Sequence, residues 1–145
     1  ACFAGPGHVL LNMPSDEEDA NFAVGQDALS RLMRAEDAKG REIKITKVPQ
    51  PKPIFEAGRR LSASYINFYL AGSEDQGGAV IMPSFGQSAD DEAAKIINAA
   101  FPGRDLVQMP ALDIIRGGGG IHCITQPQPA PPAVAGETEV QGETR

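Results

Sequence analysis

Cys123 closes the run Gly117-Gly118-Gly119-Gly120-Ile121-His122-Cys123, followed by Ile124, Thr125 and Gln126. A thiol can act as a nucleophile once it is ionised, through a lowered pKa or a neighbouring base. Consecutive glycines carry a large backbone-entropy cost and add no side-chain packing, so they suit backbone that must approach a ligand or take left-handed dihedrals. On residue logic alone two readings of Cys123 stay open, a nucleophile presented by the glycines and a small buried hydrophobe. A phosphate-cradling loop fits less well. It needs a helix after the glycines, usually opened by Lys-Ser or Lys-Thr, whereas Ile121 to Thr125 reads as a strand with no lysine.

The other groups with chemistry to offer are few. His122 adjoins Cys123, but neighbours on a strand point to opposite faces, which argues against it as the direct base. His8 follows the Pro6-Gly7 turn and is expected to be solvated. Cys2 lacks a glycine loop or polar neighbour and reads as structural. Asn67 sits in an apolar stretch where its amide needs a partner, which makes it a candidate site-lining residue; Tyr65 nearby is explained by packing. Asp113 suits the start of a short helical turn, and the acidic runs at 16–19 and 90–92 suit helix starts. With two histidines and two cysteines, and no CxxC or HxxxH spacing, the chain offers little for a zinc site.

The elements that must position these residues form an internal repeat. Ala4 to Ser15 resembles Ala71 to Ser84: each is an apolar strand, a glycine-rich turn and a second apolar strand ending in Met-Pro-Ser. An acidic stretch follows each copy, Ser15 to Asp19 and Ser88 to Glu92, and predicts a helix N-terminus. Leu29, Leu32 and Met33, and likewise Ile96, Ile97 and Ala100, give helical spacing. The helices are expected to stop near Lys39-Gly40 and near Pro102-Gly103. Third strands follow at Ile43 to Pro49 and Asp105 to Pro110, and new first strands at Ser64 to Leu70 and Gly120 to Thr125. Aligned this way, Ile66-Asn67-Phe68 sits opposite Ile121-His122-Cys123. The fold class is α/β, with two strand–strand–helix–strand units too small to close separate cores. They read as an arc of a larger cyclic arrangement.

A net charge of -6 argues against nucleic acid as a partner, since phosphate neutralisation needs clustered Lys and Arg. No apolar run approaches the ~20 residues of a membrane span and no secretory segment is visible, so a cytoplasmic setting with reduced thiols is expected. Residues 127–145 are rich in Pro, Gly, Glu and Thr and predict a disordered tail, leaving 1–126 as the structured domain.

The motif from Gly117 to Gln126, with Ser62 to Tyr69 and Ala4-Gly5-Pro6-Gly7, closely resembles the C-terminal portion of the agmatine deiminase family. That family lies in the guanidine-modifying superfamily, beside bacterial-type peptidylarginine deiminases. The resemblance covers residues 1–126 and implies a five-bladed α/β propeller of which this chain holds about two blades. It implies that Cys123 attacks the guanidinium carbon of agmatine, that ammonia leaves, and that water hydrolyses the S-alkylthiouronium to N-carbamoylputrescine, a step toward putrescine. It implies Gly118 and Gly119 as backbone lining of the substrate site, and no metal or organic cofactor.

Peptidyl or free arginine is the alternative substrate, and a non-catalytic oligomerisation piece the alternative role. The family's Gly-His-x-Asp motif and its other acidic site residues belong upstream of the segment matching Ala1-Cys2-Phe3. Neither His8 nor His122 matches the missing histidine. The chain is therefore expected to be an N-terminally truncated fragment, inactive alone, whose uncovered edges favour homo-oligomers.

Overall fold

The computed structural model describes residues 1–72 and 77–126, so the tail expected from Pro127 lies outside the described residues. Two three-stranded sheets repeat one topology. In the first, β1 (Cys2–Gly5) pairs antiparallel with β2 (His8–Met13), helix α1 (Phe22–Leu32) crosses over, and β3 (Lys44–Pro49) returns parallel to β2. After a short hairpin, β4 (Phe55–Glu56) and β5 (Arg59–Arg60), the second sheet follows the same plan. Here β6 (Tyr69–Ala71) pairs antiparallel with β7 (Ala79–Ser84), α2 (Ala89–Ala100) crosses over, and β8 (Asp105–Pro110) lies parallel to β7. A short helix, α3 (Leu112–Arg116), leads into the glycine run. The repeat read from the sequence is thus a structural repeat, and the fold is mixed α/β with small sheets.

One core joins the two units. Leu10 and Val48 of the first sheet pack with Tyr65, Phe68, Val80 and Met82, and α2 covers them with Ala93, Ala94 and Ile97, joined by Phe101 just past its end. Helix α2 therefore rests on β3 of the preceding unit as well as on its own sheet. Phe68 and Phe101 meet edge to face at 5.2 Å between ring centres, a preferred aromatic geometry. Helix α1 approaches β2 closely because Gly25 carries no β-carbon: one there would lie 2.9 Å from Met13 Sδ.

Several boundaries differ from expectation. Helix α1 begins at Phe22, not at the acidic run, because Asp16 and Asp19 turn their carboxylates onto nearby backbone, Glu18 N–H at 2.9 Å and Asn21 N–H at 2.8 Å. It ends at Leu32, well before Lys39-Gly40; Asp37 there gathers the N–H groups of Lys39 and Arg41 into a tight loop. Helix α2 starts as expected among Asp90, Asp91 and Glu92, although the Ser88 side chain makes no cap bond.

The two segments read as entry strands are mostly turns. In Ser64 to Leu70 only Tyr69 and Leu70 join the sheet, and Asn67 N–H closes a turn on Ser64 O at 3.3 Å. Gly120 to Thr125, expected as a strand, is a 3-10 turn at His122–Ile124. The N–H groups of Cys123 and Ile124 fold back three residues, to Gly120 O and Ile121 O, and that of His122 goes to Asn67, so no ladder forms.

Candidate active site

The glycine run brings Cys123 to Asn67. Cys123 is exposed, and its Sγ accepts a hydrogen bond from Asn67 Nδ2 at 3.2 Å. The rest of Asn67 holds the adjacent residue. Its Oδ1 accepts from His122 N–H at 2.8 Å, and its backbone carbonyl lies 3.2 Å from the same N–H. One side chain thus clamps the 3-10 turn and touches the thiol. Donors aimed at the sulfur favour the thiolate, so the Asn67 amide first and the Gly120 backbone second hold the Cys123 pKa below that of an ordinary thiol.

The glycines serve different purposes. A β-carbon on Gly119 would lie 2.7 Å from Cys123 Cβ, and one on Gly120 would lie 2.5 Å from Asn67 Cγ. Both contacts are too close for any larger residue. Gly118 is needed for its backbone: φ is +100°, with open space where a side chain would go. Gly118 and Gly119, expected as lining of the site, therefore act as a left-handed bend and a seat for the thiol. Gly120, the partner of Asn67, was not singled out from the sequence, and only its place in the run marked it.

The other sequence candidates fall elsewhere. His122 contributes its backbone N–H to the clamp while the residue is exposed. His8 is not solvated as expected but half-buried, its Nε2 2.9 Å from Thr46 Oγ1; burial and then the Lys44 charge hold its pKa below the usual histidine range. Cys2 packs against the core, and burial pushes its thiol up. Asp113 lies in the first turn of α3 and pairs with Arg116, which also reaches Glu56 at 2.8 Å.

Asp90, read only as part of a helix start, is a buried carboxylate at the head of α2. It accepts Tyr65 O–H at 2.6 Å and the N–H groups of Phe85, Gly86 and Gln87. A cavity of about 280 Å³ lies beside the glycine run, lined by Glu56, Arg59, Arg60, Ser62, Arg116 and Gly118. Its arginines make it a poor seat for a guanidinium. From the hairpin, Arg60 grips Asp19 through two bonds of 2.7 and 2.8 Å and ties β5 to the loop before α1. No helix among the described residues is long and apolar enough to cross a membrane.

The family model for Porphyromonas-type peptidyl-arginine deiminase matches residues 1–129. The chain belongs to that family. Among its relatives, the agmatine deiminase of Stutzerimonas stutzeri is 40% identical over an alignment of 148 positions that covers 90% of this chain and 39% of the relative. The agmatine deiminase of Pseudomonas aeruginosa is 37% identical over an alignment of 148 positions, again covering 90% of this chain and 39% of the relative. The solved agmatine deiminase of Enterococcus faecalis superposes with a TM-score of 0.77 at 31% identity, covering 86% of this chain and 38% of that one. The deiminase-family chain thus spans about two fifths of the length of the relatives it matches.

Proposed function

We propose that this chain supplies the nucleophile of a deiminase that hydrolyses agmatine to N-carbamoylputrescine and ammonia. The observation that carries the reading is the exposed Cys123 sulfur with the Asn67 amide 3.2 Å away, at the end of a glycine run too tight for side chains. In the reaction, the Cys123 thiolate adds to the guanidinium carbon and a protonated amino group leaves as ammonia. Water then adds to the same carbon of the S-alkylthiouronium, and the C–S bond breaks to return the thiolate and release the ureido product. The proton-shuttling histidine and the carboxylates that would grip the guanidinium fork are expected from sequence outside these residues. A reducing, cytoplasmic setting suits an exposed free thiol with this role.

The finer architecture follows the same reading. Residues 1–126 form two blades of a five-bladed propeller. The packing of α2 on β3 supports this. Strand β8 occupies in the second unit the place of β3 in the first, yet Val107 is 46% and Met109 40% exposed there. A further unit's helix would cover them.

In a full-length protein carrying this sequence, agmatine should yield ammonia and N-carbamoylputrescine, and Cys123→Ala should abolish both. The 145-residue chain alone should show no turnover. Full turnover by Cys123→Ala would sink the proposal. The family description also names peptidyl-arginine, so an arginine peptide belongs in the same assay; faster citrulline formation than agmatine turnover would transfer the activity to that substrate.

A further inference from the structure

The buried pair at the head of α2 links the core to the loop before the helix. Tyr65 is 0% exposed and Asp90 8% exposed, so a carboxylate has been taken out of water to meet a phenol. Such burial is costly unless every lone pair finds a donor. Here they do: Oδ1 accepts Tyr65 O–H at 2.6 Å, and Oδ2 accepts Phe85 N–H at 3.1 Å, Gly86 N–H at 2.8 Å and Gln87 N–H at 3.2 Å. A phenylalanine at 65 with a neutral helix start would have filled the same core without that cost.

What the pair holds in place is the turn that carries Asn67. Ser64 O accepts Asn67 N–H at 3.3 Å, so Tyr65 and Ile66 are the two central residues of that turn. Tyr65 is fixed at one end by its hydroxyl and along its ring by Phe85, 5.6 Å between centres. Asn67 emerges from the other end and reaches Cys123 Sγ at 3.2 Å. Only a glycine at 120 leaves the carboxamide this place, since a β-carbon there would lie 2.5 Å from Asn67 Cγ.

We propose that Tyr65 and Asp90 are positioning residues for Cys123, their buried hydrogen bond setting the turn from which the Asn67 amide touches the thiol sulfur. Neither touches the reacting atoms; they act through Asn67. Burial, then the bond to Asp90, pushes the Tyr65 hydroxyl far above its ordinary pKa, so it stays a donor throughout the working pH range. The same carboxylate fixes the loop from Phe85 to Gln87, and Gln87 in turn bonds the backbone of Lys52 on both sides. Asp90 thus ties the thiol's turn to two further segments of the fold.

The test is the pH dependence of Cys123 alkylation by iodoacetamide in the 145-residue chain, read by mass on the Cys123 peptide so that Cys2 does not interfere. Asn67→Ala gives the reference in which the amide is gone. Tyr65→Phe should move the profile upward, part of the way to that reference, and slow alkylation at pH 7 about three- to tenfold. Ile97→Val removes a methylene from the same core without touching the pair, and its profile should match the unsubstituted chain. A Tyr65→Phe profile that superimposes on the unsubstituted one overturns the proposal, and so does an equal displacement in Ile97→Val. Should Tyr65→Phe lack a cooperative unfolding transition, Asp90→Asn carries the same test under the same criteria. The catalytic meaning of the pair rests on the deiminase reading, but the titration does not. A thiol that responds to Tyr65→Phe in a protein without turnover would remove the function and keep the positioning role, and an indifferent thiol in an active deiminase would do the reverse.

Discussion

Gly120→Ala isolates the contact between the glycine run and Asn67. The new β-carbon would sit 2.5 Å from Asn67 Cγ, 2.7 Å from Oδ1 and 3.0 Å from Cβ. To restore ordinary carbon–carbon separation one partner must retreat by about 1 Å. Asn67 is the part that must give, since its carboxamide is nearest, yet it is held by its bonds to Cys123 Sγ and His122 N–H. An ångström of retreat stretches the 3.2 Å bond to the sulfur past useful length. Overpacking of this kind costs about 1–3 kcal/mol of stability. Losing the first of the donors that lower the thiol pKa should return Cys123 toward ordinary thiol behaviour, with slower alkylation at neutral pH. In a full-length deiminase, misplacement on this scale should cost about 10²-fold in turnover. Gly118→Ala is the matched control. Its strain is in the backbone, φ +100° with open space around the β-carbon, so it should cost about 1–2 kcal/mol and leave the thiol profile in place. Thermal unfolding and thiol titration of both variants decide the matter. If Gly120→Ala keeps the parent thiol profile, or Gly118→Ala shifts it as far, the steric account of the site is wrong.

The two cysteines should differ in reactivity: burial raises the Cys2 thiol and hydrogen bonds lower that of Cys123. Limited iodoacetamide near pH 7 should therefore label Cys123 well before Cys2, and peptide mass mapping checks the order. The Asp19 carboxyl is held below the usual carboxylate range chiefly by its bonds to Arg60. A depressed folded pKa stabilises above the unfolded value of about 4 and loses that stabilisation as pH falls through the lower folded value. Arg60→Met should cost about 1–3 kcal/mol at pH 7 and progressively less as the pH falls below about 4, measured by urea unfolding across the acid range; a loss that stays constant down to the acid-unfolding limit would show that packing of the arginine stem, not the ion pair, matters.

What the sequence revealed and what it hid divide along a physical line. The two sheets were legible because Met13-Pro14-Ser15 and Met82-Pro83-Ser84 each close an apolar run, although β2 ends at Met13 and β7 continues to Ser84, and a buried middle strand must be apolar on both faces. Cys123 was legible because the glycines beside it had no packing use. The shape of its surroundings was not. Ile121 to Thr125 carries strand-like side chains, but a strand exists only where a neighbour takes its N–H groups, and Asn67 takes that of His122 instead. Asn67 itself stood out as an amide in an apolar stretch, an imbalance that sequence can register without saying which partner corrects it. Asp90 gave no such signal. In a run of three acids at a helix start each residue looks solvated, and only the fold reveals that the first faces inward to a tyrosine 25 positions away. Residues that act directly are betrayed by odd local composition, whereas residues that act by holding others look ordinary until the chain has folded around them. That asymmetry is why the thiol profile of Tyr65→Phe is the more searching measurement: it asks whether a residue with no local mark of function sets the chemistry of the one that has it.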